Sequence, residues 1–292
     1  MSRFFSTIFP SHDFEVSSVE ESRQEYRRTQ SLRSVGISLV STLVLAALIA
    51  VGLNASPGWP RVRETFFSPK YFVESFPDVL RGLAVNAEVL AFSVVGVAIF
   101  GTLLAVIRTS TSSVLFPLRV ITAIFTTLMR GVPMLVVLYL IGFGIPGLGI
   151  FGRIPAALLG TISIILCYST YVSEVLRAGF EDVSPAQRAS ARSLGLTSGQ
   201  TIRLVVIPQA LRSVAPALVN DFIGMQKDAG LISVLGAVDA VRAAQVQVAT
   251  TYNFTPYVVA SLLFILTSVP FIILNDRYSA KLRRREQNGG TV

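Results

Sequence analysis

The stretch AQRASARSLGLTSGQTIRLVVIPQALR, from Ala186 to Arg212, is a long basic segment in an otherwise apolar chain. Ser184 precedes it as a suitable helix N-cap, and Pro185 suits the first helical position because that position needs no backbone N–H. Gly195 is expected to end the helix, since glycine readily adopts the left-handed conformation found after helix C-termini. The first half of the stretch therefore predicts a short helix rich in alanine and arginine.

A second helix is expected to start within the same stretch. Thr197 and Gln200 have the spacing of a capping box, in which each residue satisfies a backbone N–H at the start of a helix. Proline disrupts a helix interior, so Pro208 is expected to mark the end of this second helix. The resulting bent pair has two interpretations: it enters a groove on a partner protein, or it lies on anionic lipid headgroups.

The composition indicates an integral membrane protein. Of the 292 residues, 52% are hydrophobic and only 14% are charged, whereas a typical soluble domain has about 25% charged residues. The apolar runs reach the length of about 20 residues at which a helix crosses a hydrocarbon core of about 30 Å. Since the runs lack the alternation of strands, the sequence predicts an all-α polytopic membrane protein.

Six apolar runs are assigned as membrane helices. We expect them at about residues 34–53, 83–107, 114–141, 156–172, 213–225 and 257–274. The third contains RGVP at 130–133, where proline is expected to cause a kink. The other segments are a polar, poorly ordered cytoplasmic tail at 1–33, a proline-punctuated extracytoplasmic connection at 54–81, a cytoplasmic loop at 175–212 and a basic cytoplasmic tail at 277–292.

The distribution of basic residues indicates the orientation in the membrane. With both termini in the cytoplasm, seventeen Lys and Arg residues fall on the cytoplasmic side and seven on the outer side, in agreement with the positive-inside rule. The net charge of +8 is therefore explained by membrane topology, and no binding of nucleic acid is expected.

The sequence shows no site for chemistry. Cys167, the single cysteine, lies in an apolar run and is expected to be a packing residue, while His12, the single histidine, lies in the polar tail. These two residues cannot form a disulfide or a Cys/His metal site. The chain also lacks a G-x-x-x-x-G-K-[ST] phosphate loop and the H-E-x-x-H and G-x-S-x-G motifs. We expect no catalytic residue and no metal, and any ATP that drives this protein would be bound by another chain.

Several charged residues lie in or beside the predicted membrane helices, where insertion costs about 2.5–3.5 kcal/mol each. Glu88 either lines a solute path or faces headgroup water. Arg130 and Glu174 either pair as a structural clamp, which we favour, or contact the solute. Lys227 and Asp228 either neutralise each other or point to the path.

The basic stretch resembles the cytoplasmic loop of ABC-importer permeases. In that family the loop reads E-A-A, three residues, G, nine residues and I-x-L-P. The same spacing here joins Ala189-Ser190-Ala191, Gly195 and Val205-Val206-Ile207-Pro208. The family's opening glutamate is replaced by Ala189, so this subunit is expected to dock on its ATPase with one polar contact fewer.

Four further motifs resemble the histidine/glutamine-type branch of these permeases. They are RGVP at 130–133, YVSEVLRAG at 171–179, IPQALR at 207–212 and KDAGLISVLGAVD at 227–239. The family's Thr-Ser after Lys-Asp is Ala229-Gly230 here, which removes any role for hydroxyl groups at these positions. The resemblance covers about residues 78–285, and residues 1–77 extend beyond the usual five-helix core.

The resemblance implies a type I ABC importer permease fold, with a permease domain at 82–276 and one additional N-terminal helix at 34–53. It implies import of a polar amino acid across a bacterial plasma membrane. The implied partners are two ATPase subunits that carry ATP and Mg, a second permease copy or a homologous permease, and an extracytoplasmic solute-binding protein. An ion-coupled secondary transporter and a passive channel are the alternative functions.

The resemblance, together with the cost of charges in the membrane, gives two sets of site residues. The residues expected to couple the chain to the ATPase are Arg177, Gly179, Gln187, Ala189, Ser190, Ala191, Gly195, Ile207 and Pro208. Those expected in the solute path or in structural charge pairs are Glu88, Arg130, Pro133, Glu174, Lys227 and Asp228.

Overall fold

The computed structural model describes residues 18–110 and 112–289. The predictions that concern residues 1–17 and 290–292, including His12 and the outer parts of both tails, lie outside the described residues. The chain divides after Arg63 into two compact units.

The N-terminal unit contains α1 (Ser18–Ala55). Its apolar part, Arg33–Ala55, is long enough to cross a membrane, which confirms a helix over the predicted span 34–53. The helix begins well before that span, because residues 18–33 consist mostly of good helix formers such as Glu, Gln and Arg. Residues 18–33 of the predicted cytoplasmic tail are therefore part of α1.

The predicted connection at 54–81 is largely helical. It contains α2 (Trp59–Phe66) and the beginning of α3 (Pro69–Thr109). Pro60 and Pro69 occupy the first turns of these helices, where no intrahelical N–H is lost. Two of the four prolines that punctuate this connection thus begin helices, whereas Pro57 lies in the turn before α2 and Pro77 lies inside α3. Helix α3 starts fourteen residues before the predicted second span.

The other helices belong to the second unit. They are α4 (Phe116–Gly131), α5 (Met134–Gly147), α6 (Ala156–Asp182), α7 (Pro185–Ser193), α8 (Ser198–Thr201), α9 (Ile207–Asp228), α10 (Ala240–Thr251) and α11 (Thr255–Gly289). A π-helical turn, Ile202–Val206, joins α8 to α9, and a 3₁₀ segment, Ala229–Leu235, follows α9. By length and hydropathy, five described helices can cross a membrane, or six if the bent pair α4–α5 is one span.

The expected kink at RGVP is a complete break between two helices. The axes of α4 and α5 turn by 110° at this point. Val132 is extended, with φ −100° and ψ 129°, as a residue before proline prefers. Pro133 then caps α5 without needing a backbone donor.

The prediction that the second loop helix ends at Pro208 is wrong. From Ser198 the chain stays helical through the π-helical turn and α9 to Asp228. Within a regular helix, Pro208 would lose the bond to the Leu204 carbonyl and its ring would clash with that group. The wider π-helical turn directly before the proline relieves this clash, so the helix continues and the predicted fifth span, 213–225, is the middle of a longer element.

Helix α6 lies at the centre of the second unit and packs against α3, α4, α5 and α9. Glycines permit this close packing. A Cβ atom on Gly160 would lie 2.5 Å from Ile232 Cγ2, and one on Gly179 would lie 2.5 Å from Val214 Cγ1. These two glycines thus let the 3₁₀ segment and α9 approach the backbone of α6.

A buried polar cluster positions α10, a helix that the sequence reasoning missed. Asn86 of α3 donates to the Ala229 carbonyl at 2.8 Å and to Asp239 Oδ2 at 3.0 Å, and it accepts from the Ala240 N–H at 3.0 Å. Asp239 also caps α10 by accepting from the Arg242 N–H at 2.8 Å. Burial raises the pKa of the Asp239 carboxyl, although these hydrogen bonds oppose the shift. The signal available in the sequence was Asp239 as an N-cap.

Candidate coupling surface and solute cavity

The bent helix pair predicted from the basic stretch is present. The Ser184 hydroxyl accepts from the Ala186 N–H at 3.2 Å, and α7 begins at Pro185. Gly195 has φ +87°, and the Leu196 N–H donates back to the Ala191 carbonyl at 3.3 Å. The predicted N-cap, first turn and glycine terminus of this helix are therefore confirmed.

The capping box is also present. The Gln200 N–H donates to Thr197 Oγ1 at 3.3 Å, and Gln200 Oε1 accepts from the Thr197 N–H at 2.9 Å. The two bonds satisfy backbone donors at the start of α8. Together with the turn at Gly195, they determine the angle at which the two helices meet.

Most of the predicted coupling residues of this pair are exposed. Gln187, Ala189, Ser190 and Gly195 face outward, whereas Ala191 is buried and holds the pair together. The tip of the pair is Leu194, whose side chain is 85% exposed. Sequence reasoning did not select Leu194, although an apolar residue at a predicted turn was a usable signal. The surface is therefore small side chains around an apolar tip, which suits docking in a groove.

Four predicted coupling residues lie outside the pair itself. Arg177 and Gly179 belong to α6, because this helix extends to Asp182 rather than ending near residue 172. Ile207 and Pro208 form the first turn of α9. The loop predicted at 175–212 is therefore a continuation of two membrane helices, which makes the bent pair a rigid extension of α6 and α9.

Arg188 connects the pair to the end of α6. Its guanidinium donates to the Phe180 carbonyl, which belongs to the last turn of α6. Carbonyl groups at a helix C-terminus have no intrahelical partner and carry partial negative charge. The contact therefore holds α7 against the end of α6.

Glu174 is the centre of an arginine network. Its carboxylate pairs closely with Arg108 of α3, lies 2.9 Å from Arg177 Nη2 and 3.9 Å from Arg130 Nη1 of α4. The predicted pair with Arg130 is thus present, but Arg108 and Arg177 are nearer. The second span was predicted to end at residue 107, whereas α3 continues to Thr109 and therefore includes Arg108. One carboxylate joins three helices.

A cavity of about 520 Å³ opens beside the RGVP break. Pro133 and Arg130 line one side, and Tyr171, Asn220 and Asp221 line the other. The guanidinium of Arg130 lies 5.8 Å from the Tyr171 ring centre, and the Arg130 side chain is 46% exposed. Cationic and anionic groups thus face the same space.

Two carboxylates on α9 line this cavity. Asp228 accepts from the Tyr168 hydroxyl at 2.8 Å. The buried Asp221 Oδ2 has no hydrogen-bond partner among the described residues. A buried polar atom without a partner is costly, so this oxygen is available to a ligand that donates. Sequence reasoning missed Asp221, although a carboxylate in a predicted membrane helix was the signal.

Lys227 and Asp228 line different spaces, because Lys227 lines a groove toward α11 while Asp228 lines the cavity at RGVP. The Lys227 ammonium still acts electrostatically on the Asp228 carboxylate, in agreement with the predicted local neutralisation. Glu88 is exposed on α3 and does not line the cavity. Over the residues that the structure describes, no group of three His, Cys, Asp or Glu side chains is placed to hold a metal.

Comparison with known proteins agrees with this geometry. Residues 98–284 match the model of the family described as binding-protein-dependent transport system inner membrane component. The arginine transport system permease protein ArtQ of Bacillus subtilis is 28% identical over 215 residues, covering 73% of this chain and 96% of ArtQ. A putative glutamine transport system permease protein GlnP of Rickettsia typhi is 32% identical over 196 residues, covering 66% of this chain and 88% of GlnP.

Solved structures show the same fold. The crystal structure of an amino acid ABC transporter with histidines matches with a TM-score of 0.65 and 31% identity, over 72% of this chain and 96% of that one. An inward-facing MetNI methionine ABC transporter matches with a TM-score of 0.53 at 19% identity, over 73% of this chain and 99% of that one.

These matches define an all-α, multi-pass inner-membrane protein with the type I ABC importer permease fold. The chain belongs to the family of binding-protein-dependent transport system inner membrane components. It is a permease, and a permease of this family works with ATPase subunits and a solute-binding protein.

Proposed function

We propose that this chain is the permease subunit of an importer for a polar amino acid, energised by two ATPase subunits. The observation that carries the proposal is the capped helix pair α7–α8, whose apolar tip at Leu194 is exposed. Each ATPase would hold one such pair, and ATP with Mg would be bound and hydrolysed on the ATPase. The proposed orientation places this pair and both termini in the cytoplasm.

Motion of the ATPases would reach the membrane through rigid contacts. The pair is continuous with α9 and is bonded to the end of α6 through Arg188. Displacement of the pair would therefore tilt α6 and α9 together as a rigid body. With a second permease copy or a homologous permease, this tilt would open a path between the two subunits toward the solute-binding protein outside.

The cavity at RGVP supports an amino acid as solute. A zwitterionic amino acid carries a carboxylate, which suits Arg130, and an ammonium group, which suits the unpartnered Asp221 oxygen. Two relatives are named as an arginine transport permease and a putative glutamine transport permease, which agrees with a polar amino acid as the solute. We therefore place the solute in this cavity during passage.

The test is reconstitution in liposomes with the ATPase and the solute-binding protein. We expect uptake of a labelled amino acid above its equilibrium concentration, only when ATP is present. Asp221→Asn should reduce uptake about tenfold, because it removes the charge facing the ammonium group. Asp276→Asn, at an exposed position of α11, is the matched control and should retain uptake.

Three outcomes would contradict the proposal. Uptake driven by an ion gradient without ATP would favour a secondary transporter. Uptake that never exceeds equilibrium would favour a passive channel. Crosslinks from Leu194 that reach only phospholipid would show that the helix pair lies on the membrane instead of on an ATPase.

A further inference from the structure

A second cavity, of about 490 Å³, lies between the ends of α3 and α6 and the π-helical turn before α9. Its wall is mostly apolar and includes Val106, Phe180 and Ile202. Arg188 of α7 and Ser110 at the end of α3 also line it. We call this space the basal cavity, because it lies at the base of the bent helix pair and shares no lining residue with the cavity at RGVP.

The guanidinium of Arg188 has bonding capacity left in the basal cavity. Its Nη2 donates to the Phe180 carbonyl, whereas its buried Nε–H has no acceptor among the described residues. Arg188 also forms no ion pair with a carboxylate of the described chain. A buried donor without an acceptor is costly, so an anion that enters the cavity would be stabilised by the charge and by the free N–H.

Arg119 brings a second cation to the same end of α3. Its Nη1 donates to the Ser110 carbonyl at 2.6 Å, and it too forms no ion pair with a carboxylate of the described chain. Ser110 Oγ accepts from the Ser112 N–H at 3.3 Å, and no described group accepts the hydroxyl hydrogen. Two guanidinium groups are therefore bonded to backbone carbonyls of the cavity wall, with a hydroxyl donor beside them.

The basal cavity lies at the depth of lipid headgroups. Ser110 follows the predicted span 83–107 by three residues, about 5 Å along the helix axis, and the headgroup layer is about 5–7 Å thick on each side of a bilayer. In the proposed orientation this is the cytoplasmic leaflet, where basic pockets between membrane helices bind anionic headgroups. The side chains of Val106 and Ile202 are 53% and 51% exposed, so apolar surface continues outside the cavity.

We propose that the basal cavity binds an anionic phospholipid of the cytoplasmic leaflet. The lipid phosphate accepts hydrogen bonds from the Arg188 Nε–H and the Ser110 hydroxyl, and the start of an acyl chain covers Val106 and Ile202. Such a lipid joins the base of the helix pair to the end of α3, while the tip at Leu194 stays free for the ATPase. The inference rests on the orientation given under the proposed function and does not require an amino-acid solute.

The test is the binding of lipid to the assembled importer, measured by native mass spectrometry. The purified complex of permease and ATPase subunits is titrated with phosphatidylglycerol or with phosphatidylcholine of identical acyl chains. Phosphatidylglycerol should bind about tenfold more tightly, which corresponds to about 1.4 kcal/mol, because the choline ammonium neutralises the other headgroup. Equal binding of the two lipids would overturn the inference.

Thr109→Asp tests the cavity without removing Arg188, which also holds α7 against α6. Thr109 lines the cavity, so the new carboxylate would compete with the phosphate for the guanidinium and abolish the preference for phosphatidylglycerol. Thr109→Asn has nearly the same shape without the charge and should keep most of the preference. Arg203→Gln, at an exposed position outside the cavity, lowers the net charge as much as Thr109→Asp does and should also keep it. Equal losses in Thr109→Asp and Arg203→Gln would show a general effect of charge and refute the site.

Two competition experiments identify the occupant. Glycerol 3-phosphate should compete about tenfold more weakly than phosphatidylglycerol, because it has no acyl chain to cover the apolar wall; equal competition would show a site for a soluble anion. Phosphatidylglycerol that binds the permease alone and is lost when the ATPase subunits are added would show that an ATPase covers the cavity, which would also overturn the inference. A complex that keeps the lipid preference but lacks ATP-driven uptake would overturn the proposed function and leave this inference standing.

Discussion

Replacing Glu174 by glutamine removes the charge that holds three arginines together. Glu174 is 18% exposed, as is its close partner Arg108 on α3, whereas Arg177 and Arg130 are 30% and 46% exposed. The amide keeps the shape of the side chain, so the substitution tests charge and not volume. The three guanidinium groups would then repel one another at the junction of α3, α4 and α6.

The magnitude follows from the burial of the network. Removing one partner of a fully buried ion pair costs about 3–5 kcal/mol, while an exposed pair contributes about 0.2–1 kcal/mol. Since the Glu174 network is only partly buried, we expect Glu174→Gln to cost about 2–3 kcal/mol. At about 2–4 °C per kcal/mol for a domain of this size, the midpoint of thermal unfolding should fall by about 5–10 °C.

Glu181 provides a matched control on the same helix. Glu181 lies two helical turns beyond Glu174 and pairs with Arg177 at 2.7 Å, but its side chain is 61% exposed. Glu181→Gln should therefore cost only about 0.3–0.5 kcal/mol, a shift of about 1–2 °C. The assay is thermal unfolding of the purified protein in detergent at one heating rate, since membrane proteins often unfold irreversibly. Equal shifts for the two variants would refute the network argument.

Three further predictions concern other parts of the second unit. Gly195→Val should uncouple ATP hydrolysis from uptake while the chain still inserts, because φ +87° strains a β-branched residue by about 1–3 kcal/mol. Gly199 also has open space around it but no positive φ, so the control Gly199→Val should leave uptake coupled. Equal coupling in both variants would contradict the role of the turn. Asn86→Leu should lower the midpoint of thermal unfolding by at least 5 °C, because it leaves the buried Ala240 N–H without its hydrogen-bond acceptor. An unchanged midpoint would contradict the stabilising role of the buried polar cluster. Glu88→Gln should leave uptake kinetics within about twofold of the wild-type protein, because Glu88 is exposed and lies outside the cavity. An altered solute preference would instead place Glu88 in the solute path.

Local sequence signals predicted the features that depend on neighbouring residues. The N-cap at Ser184, the left-handed glycine at 195 and the Thr197–Gln200 capping box involve bonds across two to five residues. The apolar runs likewise predicted where helices cross the membrane, because the cost of exposed backbone in lipid leaves few alternatives. The ordered motifs added the family to which the chain belongs.

Prolines show where such local reasoning was insufficient. Pro60 and Pro69 begin helices, Pro208 follows a π-helical turn within a continuous helix, and Pro133 separates two helices that turn by 110°. The same residue type thus has three outcomes. Each depends on whether nearby backbone can rearrange to accommodate the missing N–H, which the packing of the helix decides.

Contacts between helices were decided by the tertiary structure alone. Arg108 and Glu174 are 66 residues apart in the chain, and Asp221 meets Arg130 across one cavity only because α9 packs on α6. Residue spacing along a helix determines which face a side chain occupies, but not which helix covers that face. The hydrophobic pattern therefore determined the membrane helices and the local cap signals determined the helix pair, whereas the packing of α3, α4 and α9 on α6 determined the charge network and the solute cavity.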